Sequence, residues 1–202
     1  GLAIADKLRT QVTSINQGIS NGNSAIALLQ IADKSMAEQS KILDTVKSKL
    51  IQANTATTSA DGRESIRKDI DKLLNQLDNI AKQTNYNGTY LLQADATSGT
   101  AAASTAHTFQ IGEKTSDMIT MSAVRANTTG LTLTTLAGLA ASGLTTTVAQ
   151  TGQGSVDAAI TTLNGYRGDI GSTQNQVESA VRNLMTQATN IKAAESVIRD
   201  VD

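Results

Sequence analysis

Apolar residues recur every seven positions over two long parts of the chain. In the first part, six of seven positions at this spacing are apolar: Leu8, Ile15, Gly22, Leu29, Met36, Leu43 and Leu50. In the second part all seven are apolar: Val156, Leu163, Ile170, Val177, Leu184, Ile191 and Ile198. A sustained seven-residue repeat is typical of a long helix that packs one face against a partner. These residues therefore predict the seam between two long helices.

A shorter helix is predicted between the two long ones, from about residue 62 to residue 84. One of its faces carries apolar residues at helical spacing: Ile66, Ile70, Leu73, Leu77 and Ile80. Asp61 and Glu64 fit a capping box, in which each side chain binds a free amide of the first turn. The Ala-, Thr- and Ser-rich connection over 53–62 lets this helix fold back antiparallel on the first.

Residues 83–92 read QTNYNGTYLL and predict an abrupt turn after the second helix. Asn87 and Gly88 form the strongest short signal for a tight hairpin, because both residue types tolerate positive φ. Tyr86, Tyr90 and Leu91 are the candidates to pack against this end of the helices.

The middle of the chain changes character. Residues 108–112 and 117–124 alternate in the manner of short strands, and Ala, Ser, Thr and Gly dominate the sequence around them. We expect loops or lightly packed extensions there. Their hydroxyls could accept O-linked sugars, although solvated polar loops are the simpler interpretation, and the sequons at Asn87 and Asn127 imply little on their own.

The composition excludes several classes of function. The chain has no Pro, Cys or Trp, aromatic residues make up 2%, and the formal net charge is −1. It therefore lacks a disulfide scaffold and the basic footprint of a nucleic-acid-binding protein, and it has no apolar stretch long enough for a membrane span. His107, the single histidine, is expected in a solvent-exposed loop without a metal, and no cofactor site is expected.

Five glycines of the second long repeat, Gly152, Gly154, Gly165, Gly168 and Gly171, lie outside any phosphate-binding motif. We expect the last three to allow close approach of a neighbouring helix or local bending. Arg167, Gln174 and Glu195 interrupt the second apolar stripe of this region.

Three segments resemble bacterial flagellins. Residues 1–53, GLAIADKLRTQVTSINQGIS onward, resemble the amino-terminal helix of that family. IRKDIDKLLNQLDNIAKQTNYNGTYLL resembles its second helix, which ends in a Q-T-x-x-N-G-x-x-L-L turn, and GYRGDIGSTQNQVESAVRNLMTQ onward resembles its carboxy-terminal helix. The stretch SNGNSAIALLQIADKSMAEQSKILDTVKSK is most similar to flagellins of epsilon-class proteobacteria.

The resemblance implies a mainly α fold. It implies an elongated rod of long antiparallel helices, two from the amino-terminal side and one from the carboxy-terminal side, with a small β-hairpin region at one end. The expected domains are a helical rod of residues 1–92 and 150–202 and, over 93–149, a short variable β and loop region or a reduced outer domain.

The resemblance also implies a structural subunit of the flagellar filament, exported by the flagellar secretion apparatus to the cell exterior. Its partners would be further subunits in a homopolymer, together with export and capping proteins that bind the family's terminal segments. Those segments are absent from this chain, so we expect a fragment that is monomeric. No enzymatic activity, cofactor, nucleic-acid binding or membrane insertion is implied.

Three positions align with the family's contacts to vertebrate flagellin-sensing Toll-like receptors. The family has an Arg, a Leu and a Glu where this chain has Thr45, Lys49 and Asp69. Losing the Arg removes bidentate hydrogen bonding, and the Lys places a charge where an apolar contact is expected. We expect weak or absent receptor binding, which would amount to evasion of innate immune sensing.

Two other functions fit parts of the pattern. The hook-filament junction protein of the same superfamily shares the helical rod, but the QTNYNGTYLL segment and the carboxy-terminal block favour the filament subunit. A signalling coiled coil, such as a chemoreceptor hairpin, should carry heptads through its centre, whereas this chain has a strand-like middle.

Overall fold

The computed structural model describes residues 1–201 and is mainly α, which confirms the predicted fold class. These residues form four helices: α1 (Leu2–Ala53), α2 (Ala60–Gln83), α3 (Thr134–Ala137) and α4 (Thr146–Val201). They also form four short strands: β1 (Asn85–Tyr86), β2 (Thr89–Tyr90), β3 (His107–Gln110) and β4 (Met118–Met121). The strands pair antiparallel as β1 with β2 and β3 with β4.

The chain divides into two compact units. Unit 1 comprises residues 1–30, 106–122 and 169 onward, and unit 2 comprises 31–105 and 123–168. Helices α1 and α4 each contribute residues to both units, and the β3–β4 pair belongs to unit 1. The domain boundaries given above, with a rod of 1–92 and 150–202 and a variable region over 93–149, remain a prediction.

Within unit 2, α2 runs antiparallel to the second half of α1. Gln39 Nε2 donates to the Leu77 carbonyl at 3.1 Å, and Lys49 Nζ lies 3.2 Å from Asp69 Oδ2. Residues further along α1 therefore contact residues nearer the amino-terminal end of α2. A connection of a few residues between Ala53 and Ala60 suffices for this arrangement.

Helix α4 also runs antiparallel to α1 within unit 2. Arg167 Nε donates to Asp33 Oδ1 at 2.9 Å, and Lys47 Nζ lies 2.6 Å from Asp157 Oδ1. Arg167, which interrupts the apolar stripe in the sequence, is therefore one half of an interhelical ion pair.

The residues of the predicted seam lie mostly in the interior. Ten are buried: Ile15, Leu29, Met36, Leu43, Leu50, Val156, Leu163, Ile170, Val177 and Leu184. Leu8, Ile191 and Ile198 are half-buried and lie near the ends of α1 and α4. Apolar area removed from water is the main favourable contribution to folding, so the heptad residues form the cores of both units.

The amino-terminal end of α2 differs from the predicted capping box. Ser59 is the N-cap residue, and its Oγ accepts the Gly62 amide at 3.0 Å. Glu64 instead accepts hydrogen bonds from Arg67 and from the Ser142 backbone, so the Asp61–Glu64 assignment is wrong. Ser59 is a strong N-cap residue in its own right, and it begins the helix two residues before the predicted start.

The close helix approach predicted at Gly165, Gly168 and Gly171 is wrong, whereas local bending there stays a prediction. A Cβ built on Gly154, Gly165, Gly168 or Gly171 meets no atom within 4 Å. The close approaches lie elsewhere: a Cβ on Gly22 would lie 2.3 Å from Val181 Cγ2, and one on Gly152 would lie 2.9 Å from Leu136 Cδ2. Helix spacing therefore depends on glycine at these two positions and not along the exposed face of α4.

We expect Gly165→Ala and Gly22→Ala to change stability in opposite directions. Both variants replace a helical glycine with alanine. At a position where the new methyl group is unobstructed, this change raises the free energy of unfolding by about 0.5–1 kcal/mol. At Gly22 the new methyl group would overlap Val181, a β-branched side chain with little rotamer freedom, and such overpacking costs about 1–3 kcal/mol. Urea unfolding of the two variants tests this. A change of the same sign in both would contradict it.

Candidate functional site

The β1–β2 hairpin follows α2 directly and turns at Asn87 and Gly88. The strands pair in the register Asn85↔Tyr90 and Tyr86↔Thr89, which leaves a two-residue loop. Asn87 has φ 51° and Gly88 has φ 84°, the positive values that a type I′ turn requires at both central positions. Asn85 Oδ1 accepts the Gly88 amide at 3.1 Å.

Leucines that follow the hairpin anchor it to the core of unit 2. Leu91 and Leu92 are fully buried, whereas Tyr86 and Tyr90 are half-buried. The Leu91 amide donates to the carbonyl of Thr84, the C-cap residue of α2, at 3.3 Å. The aliphatic pair, more than the tyrosines, therefore fixes the direction in which the chain leaves α2.

Thr45, Lys49 and Asp69 lie on the adjoining parts of α1 and α2. Thr45 is exposed, and its Oγ1 donates to the Lys41 carbonyl one turn earlier. Lys49 and Asp69 form the 3.2 Å ion pair that joins the two helices, with about a third to a half of each side chain exposed. The two charges are therefore directed towards each other, and a solvated pair of this kind adds little to stability.

A buried polar cluster fixes the loops beside α2, and we call it the loop clamp: Asp78, Gln93, Asn127 and Thr128. Asn127 Nδ2 donates to Gln93 Oε1 at 3.0 Å and to the Ala101 carbonyl at 2.9 Å. The chain around these four residues is well packed, because their polar groups are buried and satisfied within the protein. No local pattern marks these residues as a cluster, since Asn127 and Gln93 are distant along the chain.

Asp78 connects the loop clamp to α2. Its Oδ1 accepts the Thr128 amide and its Oδ2 accepts the Thr128 hydroxyl, both at 2.8 Å. Burial raises the pKa of Asp78, and the two hydrogen bonds from Thr128 oppose that shift in part. The carboxylate thus contributes two acceptor atoms to a site that water hardly reaches.

Gln39 is a buried polar residue in the α1 seam that the sequence analysis did not identify. Its Nε2 donates to the carbonyls of Leu77, at 3.1 Å, and Ala126, at 2.7 Å, whereas its buried Oε1 has no partner. The helical spacing could have indicated its burial, because Gln39 is the polar residue in an apolar series that includes Met36, Leu43 and Val46. Its side chain joins α1, α2 and the chain segment after β4.

A second contact holds the segment between α3 and α4 against α2. Arg67 donates to Glu64 through both Nε and Nη2, and its Nη1 donates to the Leu139 carbonyl at 3.1 Å. Glu64 Oε2 also accepts the Ser142 amide at 2.6 Å. The hydrogen bond from Arg67, followed by that from Ser142, lowers the pKa of Glu64 to about 2.

His107 lies in β3 opposite Met121 and is half-buried, so its assignment to an exposed loop is wrong. Among residues 1–201, no three His, Cys, Asp or Glu side chains are grouped as metal ligands. No helix within that range has the length and apolar character that a membrane crossing requires.

Known structures place this fold among proteins of the bacterial flagellum. Bacillus cereus flagellin superimposes with a TM-score of 0.69 at 28% identity, over 87% of this chain and 94% of that chain. A flagellar hook-associated protein of Vibrio parahaemolyticus superimposes with a TM-score of 0.75 over 95% of this chain, at 10% identity, which shows a shared fold alone.

Sequence comparison identifies the family within that class. Residues 1–97 match the bacterial flagellin N-terminal helical region, and residues 154–202 match the bacterial flagellin C-terminal helical region. The chain belongs to the flagellin family, as the resemblance of its three segments predicted.

Curated relatives support the family and the expected bacterial group. Flagellin B of Helicobacter pylori is 48% identical over 46% of this chain, and flagellin A of Helicobacter mustelae is 42% identical over 60%. Flagellin FlaB1 of Treponema pallidum is 29% identical over the whole chain and 72% of its own length. The match spans only 18% of the Helicobacter pylori protein and 23% of the Helicobacter mustelae protein.

Proposed function

We propose that this chain is the helical part of a structural subunit that assembles into the bacterial flagellar filament and serves motility. The observation that carries the proposal is the order of the two family regions on the antiparallel helices, with the seam residues buried. Head-to-tail contacts that do not close into a ring generate open helical assemblies. Residues 1–92 and 150–202 are proposed as the assembling domain, and 93–149 as the variable region.

The proposed partners and location follow from this role. Further copies of the subunit form the homopolymer, export and capping proteins act on the family's terminal segments, and the assembled filament lies outside the cell. The role is structural rather than enzymatic.

Electron microscopy tests the assembly proposal. The chain, extended at both ends with the terminal segments of a flagellin from the same bacterial group, should form long filaments of flagellar diameter. The unextended chain, examined at the same concentration, is the matched control and measures how far assembly depends on the added segments. Failure of the extended protein to polymerise under several conditions would favour the alternative of a hook-filament junction protein, which shares the helical rod.

We also propose weak or absent activation of the vertebrate flagellin-sensing Toll-like receptor. The partly solvated ion pair between Lys49 and Asp69 supports this, because it presents charges where the family's Leu would offer an apolar contact. Thr45 offers one hydroxyl, already bonded to the Lys41 carbonyl, in place of a guanidinium.

A reporter-cell assay checks the receptor prediction. The unmodified chain should give little response compared with an activating flagellin, and the triple variant Thr45→Arg, Lys49→Leu, Asp69→Glu should gain response. Changing exposed Lys41→Leu on the same helix provides a control for surface charge alone. A strong response from the unmodified chain would refute the prediction.

A further inference from the structure

The sequence contains three Asn-Gly pairs, and the structure places them in different surroundings. Asn21-Gly22 lies in α1 and Asn164-Gly165 lies in α4, whereas Asn87-Gly88 forms the β1–β2 turn. In a helix the glycine amide donates to the carbonyl four residues earlier. The nitrogen atoms of Gly22 and Gly165 are therefore held by the helix, but that of Gly88 is not.

An Asn-Gly pair can react with itself. The glycine nitrogen loses its proton and attacks Cγ of the asparagine, a C–N bond forms, and the bond from Cγ to Nδ2 breaks so that ammonia leaves. Water then opens the resulting succinimide at either carbonyl and gives aspartate or isoaspartate. The net change consumes one water and releases one ammonia, and no oxidant or cofactor takes part.

We propose that Asn87 is the site of this modification in the folded chain and that Asn85 is a positioning residue that restrains it. Asn87 and Gly88 are both exposed, and a Cβ built on Gly88 meets no atom within 4 Å. Water and the departing ammonia thus have free access. The Gly88 nitrogen, however, is the atom whose hydrogen Asn85 Oδ1 binds at 3.1 Å. That hydrogen bond must break before the nitrogen can attack.

Solvent exposure alone does not separate Asn87 from Asn164. Asn164 and Gly165 are also exposed, and a Cβ on Gly165 likewise meets nothing within 4 Å. The difference is the backbone: Gly165 belongs to a helical hydrogen-bond ladder, whereas the carboxamide of Asn85 alone holds the Gly88 amide. Asn164 is therefore an exposure-matched control within the same molecule.

Asn21 is restrained further by its own side chain. Its Nδ2 donates to the Gln110 carbonyl at 2.9 Å, and its Oδ1 accepts from Gln17 at 2.9 Å. The order of reactivity inferred for the folded chain is Asn87 first, with Asn164 and Asn21 far behind.

The modification would alter the hairpin. Either product adds a negative charge to the turn, and isoaspartate inserts an additional carbon into the main chain of a two-residue loop. A type I′ turn has no room for that atom without a change in the Tyr86↔Thr89 pairing. The hairpin would then lose its register ahead of the anchoring leucines.

Peptide mapping by mass spectrometry after incubation at mildly alkaline pH tests the site. In the folded protein, aspartate and isoaspartate should accumulate at Asn87 and not at Asn164 or Asn21. In concentrated urea the three sites should react at similar rates, since only the fold distinguishes them. Equal accumulation at Asn87 and Asn164 in the folded protein would overturn the proposal.

Two variants test the restraint. Asn85→Ala should raise the rate at Asn87 about fivefold, the factor that one net hydrogen bond supplies, while the rate at Asn164 stays unchanged. Asn85→Asp retains an oxygen that can accept the Gly88 amide and should restore the slow rate. An unchanged rate at Asn87 in Asn85→Ala, or an equal rise at Asn164, would refute the role of Asn85.

Discussion

Replacing Leu43 with alanine is expected to lower the free energy of unfolding by about 2–5 kcal/mol. Leu43 is 0% exposed, as are Met36 and Leu50 at the same heptad position one repeat before and after it. The truncation removes apolar contacts and leaves a cavity that the surrounding packed helices can close only in part. A loss of this size is a large share of the roughly 5–15 kcal/mol that stabilises a typical domain.

Ile51→Ala is the matched control for Leu43→Ala. Ile51 lies on the same helix but is 50% exposed, so its truncation should change stability by no more than about 0.5 kcal/mol. Urea unfolding followed by circular dichroism measures both variants. A loss at Leu43 no larger than the loss at Ile51 would show that the seam is not the core of unit 2.

The long helices could be predicted because their signal is local and repeated. Each heptad residue is buried on the same helix face, so the repeat remains recognisable when a single position, such as Gly22, is not apolar. The Asn87-Gly88 turn could be predicted equally well, since few residue types adopt positive φ at two successive positions.

The start of α4 could not be predicted from composition. Residues 146–154 are rich in Thr and Gly, which individually disfavour helix, yet they are helical. Gly152 is buried at a place where a Cβ would lie 2.9 Å from Leu136 and 3.2 Å from Leu50. Tertiary packing therefore overrides local propensity, and the partners that decide this are remote in sequence.

The buried polar contacts were missed for a related reason. A glutamine or asparagine in a polar-rich sequence is predicted to be solvent-exposed unless its hydrogen-bond partner is known. The partners of Asn127, Gln93 and the Ala101 carbonyl, come close to it only in the folded chain. Gln39 differs, because a polar residue within an apolar series could have been recognised. Even so, its carbonyl partners, Leu77 and Ala126, follow only from the packing of α2 and of the segment after β4 on α1.

Replacing Asp78 with alanine is expected to lower the free energy of unfolding by about 1–3 kcal/mol, the cost of leaving a buried polar group unsatisfied. Thr128 is 4% exposed, and both its amide and its hydroxyl donate to Asp78. Alanine offers no acceptor, and the site is too buried for bulk solvent to replace it. Thermal and urea unfolding measure the loss, which hydrogen exchange should trace to the Thr128 amide.

Asp78→Asn separates the hydrogen bonds from the charge. Its Oδ1 can still accept the Thr128 amide, and its Nδ2 can donate to the Thr128 hydroxyl oxygen, so it should retain most of the stability that alanine loses. A loss in Asp78→Asn as large as that in Asp78→Ala would contradict the importance of these hydrogen bonds.

The pH dependence gives a further check on Asp78. Burial raises the pKa of Asp78 above its ordinary value of 3.8, so the folded state binds the proton more tightly than the unfolded state. The contribution of Asp78 to stability is therefore complete below pH 3.8 and is lost as the pH rises through the folded-state pKa. Relative to Asp78→Asn, which does not titrate, the unmodified chain should gain stability as the pH falls from neutrality through this range. If the unmodified chain instead gained stability over Asp78→Asn as the pH rose, the carboxylate would be better solvated in the folded protein than its burial beside Thr128 allows.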